Sequence, residues 1–210
     1  MDTSEEAQAY EEMDHAEVNR QFVDDLITGG EVGEHVIDLG CGPAAIPIGL
    51  CEREDDIRVV AIDTAVSMLE VAKIQIDFAG MLDRISLELG DAKVLRGFQE
   101  GMADTVMSNS LLHHLAEPER AIVSAIRLLR AEGRLFFRDL ARPESAEAVE
   151  ALDTQYAGHE TDFAQQLFRQ SLHAALTIDE IKEIVGGLGI SSDDVQMTSD
   201  RHWTLDCSCP

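Results

Sequence analysis

Three carboxylates, each closing a short apolar run, are the side chains of this sequence best placed to do chemistry. In Val36-Ile-Asp-Leu-Gly-Cys-Gly-Pro43 an apolar run reaches Asp38 and passes straight into Gly40 and Gly42. Glycines there let the backbone turn tightly and let a ligand come closer than any side chain would permit. A carboxylate two residues ahead of the first glycine can accept hydrogen bonds from a ligand's ammonium group, directly or through water, and would be poorly placed beside a pyrophosphate. The second run, Val59-Val-Ala-Ile-Asp63, ends on Asp63, 21 residues beyond Gly42. That spacing suits a carboxylate that takes both ribose hydroxyls of an adenosine. In the third, Leu89-Gly-Asp-Ala92, the Asp91 carboxylate and a backbone N–H can bond an adenine amine and ring nitrogen. Alone, Gly90-Asp91 reads more simply as a strand-end turn, because Gly and Asp dominate turns. In register with the other two acids, the binding reading prevails.

A fourth segment, Ser108-Asn-Ser-Leu-Leu-His-His114, brings Asn109 and two histidines to the end of another apolar run. His113 or His114 could take a proton at the carboxyl edge where open α/β sheets bind ligands, the plainer alternative being a helix-capping or surface role. Tyr10, His15 and Asn19 near the start, with Arg138, Arg142, Tyr156 and His159 further on, are candidate pocket residues. Solvated helix faces and ion pairs compete with that assignment. The glycine turn, with Ala45 three residues after Gly42, also fits the Gly-x-Gly-x-x-Gly/Ala fingerprint of dinucleotide binding, so NAD stays open at this point. No Tyr-x-x-x-Lys pair accompanies it to support hydride transfer.

These residues need a scaffold, and the runs that carry them alternate with helical patterns, as in a parallel sheet wrapped by helices. Five strands are expected at 35–39, 58–62, 85–89, 104–108 and 134–139. Before the third strand, Val66, Leu69 and Val71 through Ile76 are expected to face the sheet. Before the fifth, Pro118 opens a helix with Ile122, Ile126 and Leu129 on its apolar face and Gly133 as its stop. About 38 residues then separate the fifth strand from the Thr177-Ile-Asp-Glu180 capping box, far more than the roughly 2–6 residues of an ordinary connection. Two helices are expected inside this insertion, at 144–156 and 162–172. The second carries Phe163, Leu167, Phe168 and Leu172 on a broad face that would cover a pocket, pack between subunits of a homodimer, or complete the core. Segments 194–198 and 202–207 read as a closing hairpin. The first thirty residues read as one or two helices with Val18, Phe22, Val23, Leu26 and Ile27 apolar.

The fold class is α/β: a Rossmann-like, doubly wound, mostly parallel seven-stranded sheet with a C-terminal antiparallel hairpin and a helical insertion after the fifth strand. A chain of 210 residues with 45% hydrophobic content can bury one such core, so a single domain is expected, with N-terminal helices to residue 30, a binding core over 31–140, the insertion over 141–176 and a final helix and hairpin over 177–210. Asp plus Glu number 41 against 16 Lys plus Arg, a net charge of -25, which repels phosphate backbones and anionic headgroups. Nucleic acid and membrane are therefore not expected partners. Lysine is confined to Lys73, Lys93 and Lys182, a composition suited to a salt-tolerant surface. The acidic start, without a long apolar run, argues against a targeting peptide, and no stretch approaches the roughly eighteen apolar residues of a membrane span, so a cytoplasmic location is expected. Cys41, Cys51, Cys207 and Cys209 lack the paired spacing of a metal site or disulfide framework.

Together, Asp38-Leu-Gly-Cys-Gly42, Asp63, Gly90-Asp-Ala92 and Ser108-Asn-Ser-Leu-Leu-His-His114 resemble the successive motifs of class I S-adenosylmethionine-dependent methyltransferases. The likeness covers about residues 30 to 140 and is nearest the small-molecule enzymes of ubiquinone and menaquinone biosynthesis. It implies S-adenosylmethionine as cofactor, S-adenosylhomocysteine as product and a small-molecule acceptor. It further implies that Asp38, Gly40 and Gly42 hold the methionine part, Asp63 the ribose with Thr64 and Met68 beside it, Asp91 and Ala92 the adenine, and that Asn109 lines the sulfonium side. The Asn/Asp-Pro-Pro-Tyr/Phe motif of nitrogen methylation on bases and glutamine is absent after the fourth strand. A metal-binding carboxylate set is not expected either, Asp139 being the one acid that leaves room for it. A protein that binds this cofactor without catalysis accounts for the same motifs.

Overall fold

A computed structural model describes residues 16–208 of the chain. Helix α1 (Ala16–Gly29) precedes β1 (His35–Leu39), α2 (Ala45–Arg53), β2 (Arg58–Asp63), α3 (Val66–Phe78), β3 (Ile85–Leu89) and β4 (Ala103–Asn109). A short 3-10 turn (Leu112–His114) leads to α4 (Pro118–Leu128) and β5 (Leu129–Leu140). The insertion forms α5 (Ala146–Tyr156) and α6 (Asp162–Ala174), and the chain closes with α7 (Ile178–Gly187), β6 (Val195–Met197) and β7 (His202–Ser208). The expected strands, insertion helices, Thr177–Glu180 capping box and hairpin are all present.

The seven strands form one sheet in the order β3-β2-β1-β4-β5-β7-β6. The first five are parallel, while β7 runs antiparallel to both β5 and β6. Successive side chains alternate between the two faces, and the core divides accordingly. Ile37, Val106, Leu135 and Phe137 pack with Ile122, Ala125 and Leu128 of α4 and with Ile181 and Val185 of α7. Their neighbours Val36, Met107 and Phe136 pack with Phe22 and Leu26 of α1, Leu50 of α2 and Ile76 of α3. Two β5 arginines tie α1 to the sheet. Arg134 grips Asp206 with two bonds of 2.7 and 2.8 Å and donates to the Leu26 carbonyl, while Arg138 reaches Asp25 at 2.6 Å and Thr204 at 2.9 Å.

Two local expectations are corrected. Gly133 does not stop α4: that helix ends at Leu128, Leu129 already belongs to β5, and Gly133 lies within the strand. The pairing of β4 with β5 shifts register between Ala103 and Thr105, Glu132 adopts a φ of 60°, and a Cβ on Gly133 would meet the Arg130 carbonyl at 2.9 Å. The glycine therefore serves a bulge. In α3 the fully buried residues are Met68, Ala72 and Ile76, each four residues apart, and Leu69 packs against the same core as Ala72 and Ile76, as expected. Val66 and Ile74 point outward at other phases of the helix and are 56% and 71% exposed.

Strand order reverses between β1 and β4, and open α/β sheets bind ligands beyond the carboxyl ends of strands at such a switch point. Because β7 is antiparallel, its first residue, His202, pairs with Leu140 and so arrives at this same edge. No helix among the described residues is long and apolar enough to cross a membrane.

Candidate functional site

The turn after β1 is held by main-chain bonds from Gly40 and Cys41 to the Ile62 carbonyl, at 2.8 and 3.1 Å. Gly40 and Gly42 have φ values of 73° and 52°, which L side chains rarely adopt. They differ in their surroundings. A Cβ on Gly40 would strike Leu111 at 2.8 Å, whereas one on Gly42 would meet nothing within 4 Å, so Gly42 presents bare backbone to open space. The Asp63 carboxylate fixes the neighbouring loops, accepting from Gly42 N at 2.9 Å and from Ala65 N at 2.8 Å. Two of the three sequence acids thus converge on one turn.

Asp38 is 2% exposed. Burial, with the Asp63 charge adding to it, pushes its carboxyl up to about 8. A buried carboxyl of that kind gains most from a cationic ligand group, which would restore its charge. Asp91 closes its own turn by accepting from Lys93 N at 2.9 Å, and Ala92 is buried beside it. Met68 is buried at the start of α3, and Thr64 is exposed at the end of β2.

At the end of β4, Asn109 borders a cavity of about 380 Å³. Its Oδ1 is buried and has no hydrogen-bond partner. Buried polar atoms are normally paired, so this orphan is an exception at the end of β4. Ser110, next in sequence, takes a φ of 56° and also lines the cavity. Leu167, Phe168 and Ser171 of α6 form one wall, and Glu17, Val18 and Asn19 of α1 form another. Tyr156 at the end of α5 donates to Asp200 at 2.7 Å while the Arg201 guanidinium lies 3.3 Å above its ring, so the insertion is clasped to the hairpin.

His113 and Asp139 meet beneath this cavity. The Nδ1 of His113 lies 2.5 Å from Asp139 Oδ1, with both side chains nearly sealed from solvent at 4% and 2% exposure. Asp139 also accepts main-chain bonds from Leu112 at 2.6 Å, His113 at 3.2 Å and Leu140 at 2.7 Å. His114 is exposed and lies beside the His113 ring with centroids 3.9 Å apart. His202, also on the cavity wall, is held down to about 4 by burial, and its Nδ1 meets Ser199 Oγ at 3.0 Å.

Of the pocket candidates read from sequence, Asn19, Tyr156 and His159 line the cavity. Arg138 and Arg142 do not: the first is bound to Asp25 and Thr204, the second to Glu180 at 2.5 Å. Tyr10 and His15 lie outside the described residues, as does Cys209 of the tail pair. Among the described residues no group of three or more His, Cys, Asp or Glu side chains is arranged to hold a metal. Sequence reasoning missed Arg201, His202 and the pairing of Asp139 with His113. The available signal was positional: Asp139 ends the strand expected next after the one carrying Asn109.

Residues 31–189 match the family model described as a methyltransferase domain. The demethylmenaquinone methyltransferase of Leptospira interrogans is 31% identical over 108 residues, which are 51% of this chain and 43% of that protein. The ubiquinone biosynthesis O-methyltransferase of Xanthomonas oryzae is 28% identical over 126 residues, covering 59% of this chain and 50% of that protein. The chain thus matches about half the length of these curated relatives or less. A SAM-dependent methyltransferase from Aquifex aeolicus has the same fold, with a TM-score of 0.71 at 13% identity over 99% of this chain and 98% of that one.

Proposed function

This chain belongs to the methyltransferase-domain family and is of the class I, S-adenosylmethionine-dependent kind, and from that premise we propose that it transfers a methyl group from S-adenosylmethionine to a small-molecule acceptor held under the α5–α6 insertion. The observation that carries this reading is Asn109. It ends β4 and lines the cavity, while the neighbouring strand β1 runs through Asp38 into the open Gly42 turn, so the cofactor-side turn and the acceptor cavity would lie at one carboxyl edge of the sheet.

The residues present fit the cofactor. Asp38 would take the ammonium group, and the open space over Gly42 would take the methionine backbone against bare main chain. Asp63 keeps lone pairs for the ribose hydroxyls after its two main-chain bonds, and Asp91 with Ala92 would edge the adenine. Thr64 and Met68 would flank the nucleoside. When bound, the cofactor supplies a methyl that is already activated as a sulfonium. The protein's remaining work is to align an acceptor atom in line behind that methyl and to exclude water. Leu167 and Phe168 of α6 face the cavity, which supports a lid over the acceptor in preference to a subunit contact.

A thermal-shift measurement with S-adenosylhomocysteine tests the reading. Ligand at ~100 times its Kd should stabilise the fold by ~2.7 kcal/mol, a rise of roughly 5–10 °C for a chain of this size. Asn109→Leu should shrink the shift. No shift in the wild-type protein would overturn the proposal.

A further inference from the structure

The histidines and acids of the cavity are not equivalent. His114 and His159 are exposed. His202 is too weak a base, near 4, to take a proton from an acceptor at neutral pH. Glu17 is exposed and paired with Arg20, Glu160 faces His159 at 3.3 Å, and Arg201 is committed to Tyr156 and Asp200. From α6 the wall residues are Leu167, Phe168 and Ser171, none of them charged. His113 differs from all of these because it is buried, immobilised and oriented. Asp139 takes its Nδ1, and three main-chain N–H groups hold Asp139 in turn. A carboxylate fixed on one ring nitrogen selects the tautomer with the proton on that nitrogen and leaves the other nitrogen free to accept one.

Building on the methyl-transfer reading, we propose that His113 is the residue that removes a proton from the acceptor through Nε2, that Asp139 is its positioning residue, and that the acceptor is therefore a hydroxyl compound of the phenol or enol class. The requirement comes from the chemistry of the acceptor atom. A neutral hydroxyl that attacks a sulfonium methyl must shed its proton, whereas a thioether need not and an unprotonated amine can do so afterwards to water. In the step, the O–H proton passes to Nε2 as the oxygen–carbon bond forms, and the carbon–sulfur electron pair stays on sulfur. The products are a methyl ether and a neutral thioether, and the imidazolium then returns its proton to solvent. Burial strengthens the hydrogen bond that holds the pair, and the Asp139 carboxylate stays beside the ring while it carries the proton.

Imidazole nitrogen NMR of the full chain loaded with S-adenosylhomocysteine tests this directly. His113 should appear as a single Nδ1–H tautomer with a strongly deshielded proton, and a mixed or Nε2–H form would overturn the proposal. Adding para-nitrophenol as the acceptor probe to the same complex should build its phenolate band at slightly acidic pH in the wild type. The band should be absent with His113→Gln, and an equal response in both proteins would contradict the assignment. Asp139→Asn should release the tautomer and lose the phenolate response while S-adenosylhomocysteine affinity stays within about twofold. Since that change also weakens a main-chain cap, the wild-type tautomer and His113→Gln decide the matter if the variant does not fold. Failure of S-adenosylhomocysteine to bind the wild type at all would instead strike the cofactor reading, and the tautomer would still be read on the free protein.

Discussion

Asp38 offers a prediction in which binding and folding pull in opposite directions. Its carboxyl is lifted from 3.8 to about 8 by burial and by Asp63, so the folded chain holds a proton that the unfolded chain releases. Below about pH 4 both states are protonated and the group costs nothing. As pH rises from about 4 toward 8 the unfolded state is progressively favoured, and the loss is complete above about 8. At pH 7 about three of those units have accrued at ~1.4 kcal/mol each, which sets a ceiling of about 4 kcal/mol. Asp38→Asn keeps the shape and removes the ionisation. We therefore expect a gain on the order of 2–4 kcal/mol at about pH 7, seen as a melting temperature raised by roughly 5–15 °C, with the gap closing near pH 4. On the proposed cofactor placement the same change removes a charged partner from the methionine ammonium, so affinity for S-adenosylmethionine should fall by roughly 10–100-fold. Differential scanning calorimetry across pH, with binding titrations on both proteins, reads both effects. A variant no more stable than the wild type at about pH 7, or a stability gap that ignores pH, would refute the reasoning.

Gly42→Ala should cost only ~1–2 kcal/mol of stability, because its Cβ meets no atom and only the φ of 52° is strained, yet it should sharply weaken cofactor binding by filling the space over the turn. A titration showing unchanged affinity would remove Gly42 from the site. Thr177→Ala removes one half of a complete capping box at the start of α7 and should lower stability by about 1 kcal/mol, or roughly 2–4 °C in a thermal melt. With a net charge of -25, molar salt should raise the melting temperature by screening self-repulsion, and a melt indifferent to salt would show that the acidic surface is not under such strain.

What the sequence disclosed follows from how local each signal is. Asp38, Asp63 and Asp91 each end a short apolar run, and a strand end followed by glycine or a turn can be read within a few residues. The converging pair Asp38 and Asp63 could be placed together because β1 and β2 are neighbours in any such sheet. The His113–Asp139 contact spans 26 residues and depends on β4 pairing with β5 so that Asn109 lies opposite Arg138, one position before Asp139. Arg201 and His202 reach the cavity only because β7 returns antiparallel along β5, a consequence of register that no local pattern carries. Gly133 was misread because a glycine after an amphipathic run signals a helix stop and a strand bulge equally well. In α3 a continuous apolar stretch hid the phase, which the spacing of Met68, Ala72 and Ile76 sets.

The central claim is the identity of the cofactor, and calorimetric titration of the purified protein with S-adenosylmethionine, S-adenosylhomocysteine and NADH in parallel tests it most directly. The account predicts micromolar, one-to-one binding of the two adenosyl sulfur compounds, proton release on binding as Asp38 ionises against the ammonium group, and no heat from NADH. Binding of NADH with none of the other two would contradict it.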